Sequence, residues 1–133
     1  MEVIEMRVTL TPSETAEVVR DKLAGGIVSA ELLDSYNRRT ADGKEVVVRL
    51  FERYYMRSSN RATLTLVADN LDSNGTTRVR LSAGGGGNSL FWRFDWGAGE
   101  SFAQEAANAL ETYQLSCQIR GASPPGSLRF FGL

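Results

Sequence analysis

The chain has no histidine, a single cysteine and only two lysines among its 133 residues. Each scarcity excludes something. Without histidine a Ser-His-Asp or Cys-His nucleophile system cannot be built. With Cys117 alone beside it, the usual zinc, copper and non-haem iron sites have no ligand set, so no metal and no cofactor is expected. One cysteine cannot close an intramolecular disulfide, so nothing marks a stapled, secreted domain. No run approaches the roughly 18 apolar residues of a membrane span. The opening M-E-V-I-E-M-R carries acids where a signal peptide needs a basic start. A cytoplasmic, soluble protein with no membrane partner is the expectation.

Charge is scarce in a second sense. Fifteen basic residues face sixteen acidic ones, for a net charge of -1. That balance argues against bulk attraction to nucleic acid or an anionic membrane. Apart from Lys22 and Lys44 the basic residues are all arginine, which makes planar and stacked contacts that lysine cannot. Biased codon usage explains the same preference without any function.

What is present is period-two patterning. Glu45 to Arg57, E-V-V-V-R-L-F-E-R-Y-Y-M-R, reads as the organising strand. Val46, Val48, Leu50, Tyr54 and Met56 form one face, with Glu52 among them. Val47, Arg49, Phe51, Arg53, Tyr55 and Arg57 form the other. The first face, richer in apolar residues, is expected to be the covered one.

Around it the chain reads in order. Val3–Leu10 is a strand with Ile4, Met6, Val8 and Leu10 inward. Thr11-Pro12-Ser13-Glu14 is a capping box opening a short helix, and Gly25-Gly26 is its left-handed stop. A weaker strand spans 27–36, and Asp42-Gly43 marks a turn. Arg61–Leu71 and Val79–Ala83 alternate on either side of Asn74-Gly75, a strong hairpin signal. Leu90, Trp92, Phe94 and Trp96 suggest an aromatic strand, and Glu100–Tyr113 a helix opened by Ser101 and Gln104. Leu115, Cys117 and Ile119 alternate briefly. Gly121–Ser127 is a Pro/Gly/Ser linker before the apolar tail Leu128–Leu133.

These elements predict an α+β fold: a mainly antiparallel sheet of about five to seven strands with two helices on one face. The domain is expected to span 1–120, with linker and tail at 121–133. The expected central strand order is 45–57, 61–71, 76–83, 89–96. The tail, through Phe130 and Phe131, is expected to dock on its own domain or on a neighbouring subunit.

V-R-L-F-E-R-Y-Y-M-R-S-S-N-R-A-T-L-T at 48–65, S-A-G-G-G at 82–86 and L-F-W-R-F at 90–94 are similar to an uncharacterised bacterial family of short α+β domains. The resemblance covers roughly residues 3–114 and implies a fold but no activity. The element order also resembles helix-grip folds, in which a curved sheet wraps a C-terminal helix.

Candidate site residues follow from these patterns. No catalytic set is named. Glu52, a carboxylate on the apolar face, could gain a raised pKa in a dry pocket beside Tyr54, Trp92 and Trp96, between sheet and C-terminal helix. A bulge or a pairing arginine would explain Glu52 equally. Arg49, Arg53, Arg78, Arg80 and Arg93, interleaved with Phe51, Tyr55 and Phe91, could bind single-stranded nucleic acid or a protein partner. A wet sheet face with cross-strand ion pairs would look the same. Glycines 84–87 do not open a helix after Gly-Lys-Ser/Thr and so do not make a phosphate loop. The helix start at Gly99–Ser101 is a better-placed anion site, although Glu100 opposes it. Together these suggest a non-enzymatic module that self-associates; a small-ligand carrier or enzyme and a single-strand binder are the alternatives.

Overall fold

A computed structural model of the chain describes residues 1–25, 29–55, 60–85, 102–120 and 129–131, the backbone alone at 55, 60 and 129–131. The described elements are strand β1 (Glu2–Val8), helix α1 (Pro12–Ala24), strands β2 (Glu31–Arg39), β3 (Glu45–Tyr55), β4 (Asn60–Asp69) and β5 (Thr77–Gly85), helix α2 (Phe102–Ala109), a 3-10 turn at Glu111–Tyr113, and strands β6 (Gln114–Arg120) and β7 (Arg129–Phe131). The strands make one sheet in the order β2-β3-β4-β5-β1-β6-β7, every pair antiparallel. The expected α+β class and strand number are what the structure shows.

α1 lies over β3 and β4, and α2 over β5, β1 and β4; the two helices touch each other. They cover one face. Register stacks its side chains in rows: Phe51 beside Leu64 and Ala83; Leu66 beside Leu81, Ile4 and Ile119; Val47 beside Ala68, Val79, Met6 and Cys117. All of these are buried, as are Val19 and Leu23 of α1 and Phe102 and Ala106 of α2. Fully burying one such large side chain is worth about 1.5–3 kcal/mol, so this face carries the fold's stability.

α1 starts where its capping box says. Thr11 Oγ1 accepts from the Glu14 N–H, and Glu14 Oε1 accepts from the Thr11 N–H. At its other end Gly25 is the C-cap, with φ -93, and its N–H donates to the Lys22 carbonyl; Gly26, the second glycine of the expected stop, lies outside the described residues. The β2–β3 turn fits its sequence. The Gly43 N–H donates to Thr40 O, Gly43 has φ +89, and the Thr40 N–H donates to Lys44 O at 2.7 Å. That is a three-residue hairpin with glycine at its left-handed position.

Four expectations change. First, β3 presents the opposite face. Val47, Phe51 and Arg53 are buried, while Val46, Val48, Leu50, Glu52 and Tyr54 are on the helix-free side. Alternation defines two faces but not which is covered; pairing with Leu64 and Ala68 of β4 decides it. Second, β5 is flanked by β4 and β1, so the place foreseen for 89–96 is taken. Residues 89–96 lie outside the described residues. Third, Asn74-Gly75 is part of a longer connection from β4 to β5, with Ser73 at φ 61 and Gly75 at φ +80. Fourth, α2 ends at Ala109 and hands over to the 3-10 turn. The carbonyl of Tyr113 in that turn accepts from the Thr9 N–H at 3.0 Å.

Candidate functional site

Among the described residues no helix covers the other face of the sheet, and that face and the β2 edge are the candidate surfaces for meeting another molecule. β2 has no neighbour on its outer side among the described residues. Apart from half-buried Leu32, all its residues are exposed. Tyr36 is 51 % exposed, Leu33 46 % and Tyr54, on β3, 46 %. Leu33 is the extra residue where the β2–β3 register slips between Leu32 and Asp34, and a bulge of this kind re-aims its side chain. Val46, Val48, Leu50 and Val67 are half-buried on the same face. Tyr36 stands beside Val48, and Val48 beside Val67. An apolar stripe therefore crosses β2, β3 and β4.

Toward β1 and β6 the open face turns ionic. Glu5 accepts from Arg80 at 3.4 Å and from Arg120 at 2.6 Å. Arg7 donates to Asp72 at 2.5 Å and to Thr76 Oγ1 at 3.1 Å. The Arg7 guanidinium holds the Asp72 carboxyl below its ordinary value of 3.8, with a smaller contribution from Arg78. A cleft of about 180 Å³ opens here, lined by Glu5, Arg7, Arg78, Ser116 and Gln118 and by parts of Met6 and Cys117. Cys117 is buried, and burial pushes its thiol above the ordinary value. A protonated, covered thiol is a poor nucleophile.

The proposed ligand set is not assembled between sheet and helix. Glu52 and Tyr54 are on the other side of the sheet from α1 and α2. Arg61 joins them there: it donates to Glu52 at 3.2 Å, and its guanidinium sits 5.6 Å from the Tyr54 ring centre. A pairing arginine thus accounts for Glu52. Trp92 and Trp96 are outside the described residues.

The arginine face is also divided. Phe51 is buried, and so is Arg53. Arg53 makes a two-pronged ion pair to Glu105 of α2, at 2.5 and 3.1 Å, and lies 4.6 Å from the Phe102 ring centre. Arg49 donates to Asn37 Oδ1 at 2.6 Å and to its neighbour's carbonyl. Arg78 and Arg80 are exposed on the open face, Arg80 paired to Glu5. The side chain of Tyr55, and Phe91 and Arg93 entirely, lie outside the described residues. So do glycines 86 and 87 and the helix start at 99–101. With two of the set buried and Arg80 neutralised, the described residues form no continuous cationic and aromatic track of the kind that binds single strands.

Two groups went unnoticed in the sequence. Arg61 pairs across the β3–β4 hairpin with Glu52, and Arg120 across β1 and β6 with Glu5, 115 residues away. Glu45 is buried: Oε1 accepts from the Ser13 N–H and hydroxyl, Oε2 from Arg39 at 3.0 Å, and its own N–H donates to Asn70 Oδ1. It ties the start of α1 to both strands of the β2–β3 hairpin. Only its place at a strand start, opposite an arginine across the hairpin, hints at this role.

Among the described residues no helix is long and apolar enough to cross a membrane, and no three His, Cys, Asp or Glu side chains gather as a metal site. A family model matches residues 1–114; its description is a family of unknown function, DUF6054. No curated protein and no solved structure matches the chain.

Proposed function

We propose, from the premise that this chain belongs to DUF6054, a family of unknown function, that it is a cytoplasmic, non-enzymatic interaction module that associates with copies of itself. The observation that carries this is the wet end of the sheet. A nine-residue strand there has an unpaired outer edge among the described residues, and Leu33, Tyr36 and Tyr54 are about half exposed beside it. A long edge with exposed apolar neighbours invites a further strand or face. Phe51, offered by the sequence as a surface anchor, is buried; Tyr36 and Tyr54 take over that part of the case. Most charged groups described on the open face are held in ion pairs, Glu5 with Arg80 and Arg120, Arg7 with Asp72 and Glu52 with Arg61, which suits binding more than turnover.

Sedimentation velocity and light scattering from about 1 to 500 µM test the proposal, on the affinity scale of weak to moderate association. A mass that rises with concentration toward twice the chain mass of 14.6 kDa supports it. A strict monomer at the highest concentration overturns it.

A further inference from the structure

The β2 edge carries enough detail to say how two copies would meet. The Thr40 N–H bonds Lys44 O, so Thr40 faces β3. The Glu45 N–H bonds Asn70 Oδ1, and its carbonyl accepts from the Asn70 N–H, so Glu45 turns away from β2. Hydrogen-bonded and non-bonded pairs alternate along an antiparallel ladder. Arg39, Asn37 and Ser35 therefore direct their backbone groups outward, while Arg38 and Tyr36 bond inward to β3. Ser35 agrees: its N–H is taken by the Asp34 side chain at 3.0 Å, not by a strand partner.

Outward groups at 35, 37 and 39 permit an antiparallel partner only in registers that place these residues opposite one another. A two-fold axis can then pass through any residue from Ser35 to Arg39. Axes at Arg38 and Arg39 carry Asp34 past the partner's Thr40, beyond the end of β2, so side chains choose among the other three. Centred on Tyr36, Asp34 faces the partner's Arg38 and Arg38 faces the partner's Asp34, with the two tyrosines side by side. Asp34, Tyr36 and Arg38 all share the open face, next to the apolar stripe of Val46, Val48 and Leu50. Centred on Ser35, Asp34 faces tyrosine; centred on Asn37, it faces threonine. Neither alternative forms the two Asp–Arg pairs. The edge also lacks the lysine and proline by which sheets commonly blunt themselves.

We propose that β2 pairs antiparallel with β2 of a second copy about a two-fold axis at Tyr36, joining two sheets into one. The pairing rests on the self-association reading and specifies its interface. The contact is isologous, with the same residues given and received by each copy. Each Asn37 N–H donates to the partner's Ser35 carbonyl, and each Ser35 N–H to the partner's Asn37 carbonyl once Asp34 turns from it to the partner's Arg38, about four backbone hydrogen bonds in all. Arg38 already reaches across its own face to the Tyr36 hydroxyl at 3.2 Å.

Charge reversal tests the register. Asp34→Arg and Arg38→Asp each place like charges opposite one another twice, and each should raise the dimer dissociation constant at least about tenfold. Mixed in equal amounts, the two variants should pair with each other and restore a dimer of wild-type strength. Both positions are exposed, and a melting curve confirms that each variant is folded. As an independent readout, Tyr36→Cys should cross-link on mild oxidation. Non-bonded antiparallel pairs bring Cα atoms to about 4.5 Å, within disulfide reach, and the buried Cys117 does not compete. A wild-type dimer whose variants dissociate no more readily, whose mixture does not recover, or whose Tyr36→Cys form stays uncrosslinked overturns this interface and leaves self-association standing. A wild-type monomer overturns both.

Discussion

Removing the Glu105 carboxylate should be among the most damaging single changes near the surface of this protein. Arg53 sits on the covered face of β3 with its side chain 7 % exposed, and Glu105 on α2 is 18 % exposed. Two parallel N–H···O bonds join them, and Phe102 lies under the guanidinium. Glu105→Ala takes the two-pronged carboxylate away from a buried cation. Breaking a buried pair by removing one partner typically costs about 3–5 kcal/mol; the partial exposure of Glu105 brings the expectation to about 2–4 kcal/mol. Against a total stability of about 5–15 kcal/mol this is a large share. With a urea slope of about 1.5–2 kcal/mol per molar, the midpoint should fall by about 1–2.7 M. Arg53→Met with Glu105→Leu removes both charges and keeps the volume, and should return to within about 1 kcal/mol of the natural protein, because apolar replacements of buried pairs are commonly neutral or better. Urea unfolding of Arg53→Met, Glu105→Leu and the double closes a mutant cycle. A loss below about 1 kcal/mol for Glu105→Ala would show the pair to behave as an exposed one. A double variant as unstable as the singles would refute the account of why an arginine is tolerated there.

The reversed face of β3 gives a simple contrast: Phe51→Ala should cost about 3–5 kcal/mol and Leu50→Ala about 1 kcal/mol or less, and equal urea midpoints would contradict the register. Glu45→Ala should cost about 2–3 kcal/mol by thermal melting, since three charge-assisted donors lose their acceptor; hydrogen exchange should also show the amides of the β2–β3 hairpin exchanging faster. Acid sensitivity has two signs. Arg7 depresses the Asp72 pKa, so that pair's stabilisation is complete above 3.8 and lost as pH falls through the lower folded value. Burial raises the Glu2 pKa above 4.5, so its contribution is present below 4.5 and lost as pH rises through the higher folded value. Asp72→Asn should flatten the acid limb of midpoint against pH and Glu2→Gln the decline above 4.5; curves parallel to the natural protein would discount both.

Much of the fold was legible because its information is local. The period of two in Ile4, Met6 and Val8, or in Ala62, Leu64, Leu66 and Ala68, needs no knowledge of partners, and those faces are covered as expected. The capping box at Thr11 and Glu14 spans three residues and names its own helix start. The covered face of β3 was not legible, because both faces carry apolar side chains and the group that neutralises Arg53 is 52 residues away. Counting apolar residues penalises an arginine that a distant glutamate makes acceptable. β2 was blurred for the opposite reason: with both sides wet, E-L-L-D-S-Y-N-R-R has no face to alternate against. The candidate site inherits these limits. Glu52 and Tyr54 were identified as neighbours in space, but on the wrong side of the sheet, and Arg61, which joins them, looked like any exposed arginine.

The place of β1 bears on how the molecule is made. The first strand in chain order is an inner one, and its two neighbours are residues 77–85 and 114–120. Glu2 faces Ala83, so most of the chain is synthesised before β1 can bond on either side. The β2–β5 meander needs only its own neighbours and can close while translation continues. Until then Val3, Ile4, Met6 and Val8 form an unpaired apolar segment of the growing chain, the kind of segment that chaperones shield and that aggregates when they do not. Ribosome-bound chains halted before residue 114 should expose the first eight residues to protease, and released full-length chains should protect them. A tag ahead of Met1, which is exposed, is compatible with the fold; trimming the first eight residues would remove the strand that joins β5 to β6.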